Sequence, residues 1–214
     1  MSRFSQTWLF MASACVSLAL FGASALAEQR VGGVISLSGK ATVRHSKNAK
    51  SEALATHDPI YEKDVILTEP AAKVKIGFDD GTTVTVAELS SLEIREFVLT
   101  PMQKMPSAFF TLASGAFRAI VNNVSQRDAF VVQTPTAVAA VRGTDWMAEI
   151  KADSTGVVVL QGKVAVFNVN PDVSGEVILT DRMGTDVRVN QPPTPPKEWS
   201  ETRRNALLKA TDLP

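Results

Sequence analysis

Ala72-Lys73-Val74-Lys75-Ile76-Gly77-Phe78-Asp79-Asp80-Gly81-Thr82-Thr83-Val84-Thr85-Val86 alternates apolar and polar residues on both sides of an Asp-Asp-Gly turn. Val74, Ile76 and Phe78 fall on one face and Lys73 and Lys75 on the other. Val84 and Val86 repeat the pattern against Thr83 and Thr85. A period of two is the spacing at which side chains share one face of a strand. Gly81 can take the positive φ that a short hairpin loop needs. The segment therefore predicts a half-buried β-hairpin.

The same texture extends outward from Val31 to Val189. Strands are expected at Val34–Leu37, Ala41–Arg44, Val65–Thr68, Leu92–Val98, Phe109–Leu112, Ala116–Val121, Phe130–Thr134 and Ala137–Val141. Further ones are expected at Trp146–Lys151, Val157–Leu160, Val164–Val169, Val177–Thr180 and Val187–Val189. Gly, Pro, Asn and Asp separate them, and glycines precede short apolar bursts at Gly39, Gly115 and Gly162. So many short strands without an amphipathic helix between them predict an all-β fold, an irregular β-solenoid or roll or a sandwich, and not a parallel α/β sheet. No strict repeat emerges.

The ends read differently. Arg3, the apolar run Trp8–Phe21 and Ala25-Leu26-Ala27 have the order of a secretory signal with cleavage after Ala27. The run is broken by Ser13 and Ser17 and is short for a spanning helix, which argues against a membrane anchor. Apolar residues continue past Cys15 to Phe21, which argues against a lipidated cysteine. Expected organisation is a signal peptide at 1–27, an all-β domain at 28–190, and a Pro-rich linker with a short C-terminal helix at 191–214. Gln191-Pro192-Pro193-Thr194-Pro195-Pro196 predicts a stiff extended linker. Trp199, Ala206 and Leu207 are expected on one helix face, with Glu198, Glu201, Arg203 and Arg204 largely elsewhere. Trp199 either docks the helix on the β domain as a cap or offers a detachable contact to another protein.

Removing residues 1–27 takes away Arg3 alone among charged residues, which leaves 21 Lys and Arg against 22 Asp and Glu. A nucleic-acid ligand is not expected without a basic surplus to displace phosphate counterions. The single cysteine, Cys15, leaves with the signal, so the mature chain has no disulfide, thiol nucleophile or cysteine metal ligand.

Several segments, in order, resemble the FecR family domain of bacterial periplasmic proteins. They are Val31–Val34 with Gly39–Val43, Ile60–Thr68, Ala72–Val84 with its Asp80-Gly81 turn, Ser91–Ile94, Gly115–Phe117, Phe130–Trp146, and Val157–Val166. Within Phe130–Trp146 stand Thr134-Pro135 and Arg142-Gly143-Thr144. The resemblance implies an all-β domain of roll-like or solenoid-like character without a catalytic centre. The family's namesakes relay a signal from an outer-membrane receptor to an inner partner. The cytoplasmic anti-sigma helices and internal transmembrane helix of those namesakes have no counterpart here, so sigma-factor regulation is not carried over.

Asp80, Gly81, Thr134, Pro135, Arg142, Gly143 and Thr144 are the family-motif residues, and each is read as structural. Arg142 has the fork to grip a carboxylate or phosphate. The simpler expectation is a bond to backbone carbonyls or to Asp80 or Asp145. Asp79, Asp80 and Glu88 fit no calcium-loop spacing. His45 and His57 lack an accompanying nucleophile elbow or H-E-x-x-H pair. Leu99–Pro106, with Met102 and Met105, reads as a loop over a core edge or against a partner. No catalytic, cofactor or metal residue is assigned.

The leading expectation is a non-catalytic periplasmic or secreted module for protein binding, signalling or scaffolding. It would bind an envelope protein partner by strand addition, with the C-terminal helix shielding one sheet edge. The alternatives are a cell-envelope glycan-processing enzyme using an acidic pair, whose spacing sequence leaves open, and a lipid-carrying envelope protein.

Overall fold

The computed structural model describes residues 29–46, 49–97, 108–122 and 130–213. Residues 1–27 and Leu99–Pro106, which bear on the signal and the methionine loop, lie outside them. The described strands are β1 (Arg30–Ser38), β2 (Ala41–Arg44), β3 (Glu52–Ala53), β4 (Pro59–Tyr61), β5 (Val65–Thr68), β6 (Lys73–Phe78), β7 (Thr83–Val86), β8 (Ser91–Phe97) and β9 (Ala108–Ser114). They continue as β10 (Ala116–Ile120), β11 (Phe130–Gln133), β12 (Ala137–Val141), β13 (Asp145–Ile150), β14 (Ser154–Gln161), β15 (Val164–Asn168), β16 (Glu176–Leu179), β17 (Met183–Arg188) and β18 (Lys197–Glu198). A helix, α1 (Glu201–Thr211), closes the chain.

The strands form two sheets of nine. Sheet A has the order β18-β17-β14-β13-β10-β7-β6-β1-β4, and sheet B has β16-β15-β12-β11-β9-β8-β5-β2-β3. The chain crosses between the sheets after every one or two strands, and both sheets grow in the same direction. The result is a two-layer sandwich wound progressively, the roll-like all-β architecture expected. All pairings are antiparallel except β9 with β11.

Winding this tight needs sharp corners. Each crossing among the described residues contains a residue with positive φ: Gly39, His57, Lys63, Ala71, Leu89, Gly115, Gly143, Gly162 and Arg182. A left-handed residue reverses the chain locally, so the next strand enters the opposite layer. The glycines before apolar bursts are thus corners between layers. Gly115 shows why two requirements fall on one residue. Its φ is +80°, and a Cβ there would lie 2.6 Å from the Ser90 Cα.

Alternation supplies the core between the layers. Val74, Ile76, Val86, Ile94, Leu112, Ala119, Trp146, Val159, Val164 and Val166 are fully buried and belong to one cluster contributed by both sheets. Phe78 stacks on Phe97 at 4.9 Å and meets Phe110 edge-on, and Phe110 stacks on Phe130 at 4.8 Å. Each such side chain contributes about 1.5–3 kcal/mol by leaving water.

Three short strands, β3, β4 and β18, carry no sequence alternation and are set by tertiary pairing. β18 adds to β17 through Met183–Glu198 and Gly184–Lys197. The Pro-rich segment is therefore not a free linker. Thr194 N–H donates to the Asp186 carbonyl at 3.0 Å, Thr185 Oγ1 donates to the Thr194 carbonyl at 2.6 Å, and Pro193 is buried.

Candidate functional site

The family-motif residues fall at two ends of the sandwich. At one end, Asp80 closes the β6–β7 turn by accepting from Thr82 N–H at 2.9 Å and Thr82 Oγ1 at 2.8 Å, and Gly81 takes φ +82°. The Arg142-Gly143-Thr144 corner lies at the same end, because Thr83 and Asp145 both pair with Ile120. Thr144 Oγ1 lies 3.0 Å from both the Arg142 and the Lys163 carbonyls, joining this corner to the one at Gly162. Asp145 is held by a different arginine. Arg118 takes both its oxygens, at 2.9 and 2.7 Å, and the guanidinium pKa is raised by that hydrogen bond. Arg142 itself is exposed.

Thr134 and Pro135 turn the chain at the opposite end. Thr134 Oγ1 donates to the Ala137 carbonyl at 3.0 Å and lies 2.9 Å from Thr155 Oγ1, which Thr136 Oγ1 also meets at 2.8 Å. The three threonines are buried and satisfy one another and the backbone. Pro135 is exposed. The motif residues thus occupy separate turns and do not converge on one cleft.

A broader surface stands on the outer face of sheet B. Register places Phe109, Val131, Ala140, Ala165 and Ile178 in one row across β9, β11, β12, β15 and β16. Their inward neighbours Phe110, Val132, Ala139 and Val166 fill the core, so this row points outward. Val138 pairs with Phe167 in the adjacent row. Phe167 is 36% exposed and Ile178 52%, and β16 ends the sheet order as an edge strand.

The outer face of sheet A is covered by the C-terminal segment. Helix α1 starts at Ser200, whose hydroxyl accepts from Arg203 N–H at 3.3 Å, with Glu201 in the first turn. Its inward stripe is Arg203, Leu207 and Thr211, four residues apart, and Ala206 is exposed. Trp199 precedes the helix and is not on it. Its indole lies over Gly156 of β14 and Gly184 of β17, while Leu207 packs with Met147 and Val158. Arg203 stacks on the indole at 3.3 Å and donates to Asp186 at 2.6 and 3.0 Å and to Glu149 at 2.8 Å. Burial, the largest single influence, pushes the Asp186 carboxyl up, but the hydrogen bonds and charge of Arg203 together with the charges of Lys151 and Lys197 outweigh it and lower its pKa from the ordinary aspartate value. At the far end Lys73 Nζ donates to the Lys209 and Asp212 carbonyls at 2.7 and 3.0 Å, and Lys75 Nζ donates to the Leu213 carbonyl at 3.1 Å. The helix lies across a sheet face, so it does not shield an edge.

Residues 64–165 match the family model described as FecR protein. The chain contains a FecR domain. No curated protein matches the chain. Two crystal structures of a candidate anti-sigma factor from Parabacteroides distasonis ATCC 8503 share the fold, with TM-scores of 0.54 and 0.53 and 16% identity in each. The aligned part is 67% of this chain and 63% and 64% of theirs. The chain thus spans less than two thirds of those structures, and at this identity the likeness is one of fold.

The FecR match covers β5 to the start of β15 and leaves out β1–β4, although these strands continue both sheets without a break. It also leaves out the C-terminal segment on sheet A. Residues brought there by the fold, Glu149, Gly156, Gly184, Asp186 and Arg203, were not singled out from sequence. The available signal was Trp199 and Arg203 spaced four apart, together with the strand glycines Gly156 and Gly184. Among the described residues no three His, Cys, Asp or Glu stand close enough to hold a metal ion, and no helix is long and apolar enough to cross a membrane.

Proposed function

We propose that this FecR-domain protein is a non-catalytic signalling and binding module of the bacterial envelope, exported by a signal peptide at 1–27 and acting in the periplasm or beyond it. Residues 28–190 form the binding domain and residues 191–214 its C-terminal strap. The observation that carries the reading is the apolar row on sheet B, from Phe109 to Ile178, beside the edge strand β16. An outward apolar row that is half-buried from Phe109 to Ala165 and exposed at Ile178 suits a protein partner, and the adjoining edge can add a partner strand through its backbone. The family-motif residues Asp80, Gly81, Thr134, Pro135, Arg142, Gly143 and Thr144 serve the turns that hold the layers. Likeness in fold to candidate anti-sigma factors supports a regulatory role; sigma-factor binding is not part of the proposal.

In-cell crosslinking of the envelope fraction tests this with wild type and the double variant Phe167→Glu/Ile178→Glu. Wild type is expected to capture an envelope protein that the variant loses, while both melt alike. Equal capture by both proteins, or recovery of glycan or lipid alone, would refute it.

A further inference from the structure

The C-terminal segment, residues 197–213, fills a groove on sheet A and supplies a partner to each of that groove's recognition features. The groove floor is Met147 and Val158, fully buried beneath Leu207 and Trp199. Glu149 and Asp186 lie at the helix start, where they bind Arg203 and suit the positive end of the helix dipole. Lys73 lies at the helix end and donates to the Lys209 and Asp212 carbonyls, which the last turn leaves without helical partners, and Lys75 donates to the Leu213 carbonyl just beyond. An acidic end, an apolar floor and a basic end specify both a helix and its direction.

The segment is also separable from the body. Trp199 and Leu207 form a cluster with Met147 and Val158 apart from the main core. The buried Trp199 Nε1–H has no acceptor among the described residues, a cost that docking carries and release removes. The preceding segment Gln191–Pro196 holds four prolines and, once Thr194 leaves Thr185 and Asp186, can extend about 19 Å at the polyproline rise. We infer that residues 197–213 are an exchangeable latch, and that a second copy of this chain can supply its latch to the same groove, linking two molecules by reciprocal exchange.

Two complementary full-chain variants test this. Trp199→Ala/Arg203→Ala disables the latch and leaves the groove, and Gly184→Val blocks the groove and leaves the latch. Each alone is expected to be monomeric, and mixing them should give a one-to-one heterodimer by native mass spectrometry. A mixture that stays monomeric while both variants melt cooperatively overturns the proposal. Should either variant fail to fold, a protease site inserted between Gln191 and Pro192 of the otherwise unaltered chain is cut, and a fluorescein-labelled peptide of residues 192–213 is added. The peptide should displace the cut latch, with a large excess of unlabelled peptide reversing its anisotropy. A cut protein that stays folded but takes up no peptide, or one whose body unfolds once the latch is diluted away, overturns the exchange.

Discussion

Replacing Gly184 by alanine should loosen the C-terminal latch without harming the sandwich beneath it. Gly184 lies within β17 and needs no positive φ, so its backbone accepts a side chain. The obstacle is the Trp199 indole, because the new Cβ would stand 2.6 Å from Cε2 and 2.8 Å from Cδ1. Ordinary contact begins near 3.4 Å, so a rigid ring must retreat by most of an ångström, and Arg203 stacked on its face moves with it. Overpacking of this size costs about 1–3 kcal/mol, which multiplies the undocked fraction about 5–150-fold. The main core contains neither Trp199 nor Gly184, so its packing is untouched. Trypsin under native conditions reads the undocked fraction directly, through cleavage after Arg203 and Arg204, when opening is fast relative to cleavage. Gly33→Ala is the control, since its Cβ meets nothing nearer than the Asp58 carbonyl at 3.4 Å. An unchanged cleavage rate in folded Gly184→Ala would show that Trp199 is not held in this seat.

Arg203→Lys keeps the charge but loses the planar fork shared between Asp186 and Glu149, so latch cleavage should rise as for a loss of about 1.5–3 kcal/mol; a rate equal to wild type would count against the pairing. Because the folded Asp186 pKa is depressed, its contribution is present above the unfolded value and is lost as pH falls through the folded one, below 3.8. Hydrogen exchange of the α1 amides should therefore rise on acidification below that value in wild type and not in an Asp186→Asn variant; Glu149, Lys151, Lys197 and Arg203 are the charged groups that face this carboxyl. At the corner between β9 and β10, Gly115→Ala combines a left-handed backbone with contact on Ser90 and should cost about 2–5 kcal/mol in urea unfolding; a loss under about 0.5 kcal/mol would show that the corner relaxes.

Strand by strand, the sandwich was legible because each strand needs only alternation among near neighbours. Lys73–Phe78 and Thr83–Val86 around Asp79-Asp80-Gly81 became β6 and β7 with the expected face inward. The glycine corners were visible as punctuation, though His57, Lys63, Ala71, Leu89 and Arg182 do the same work without a sequence mark. β3, β4 and β18 were missed because partners from elsewhere in the chain impose them.

Sequence by itself determined the alternating strands, the hairpin at Gly81 and the all-β class, since these follow from spacing within a few residues. Only the tertiary structure decided where the C-terminal segment lies and which of its side chains are buried. Arg203 reads as a solvent-facing charge in any local window, yet it is bound to Glu149, 54 positions earlier, and to Asp186 across a seat made by two glycines from different strands. Burial of that charge depends on carboxylates and a flat surface that no neighbouring residue supplies, so it is settled only when the two sheets are assembled.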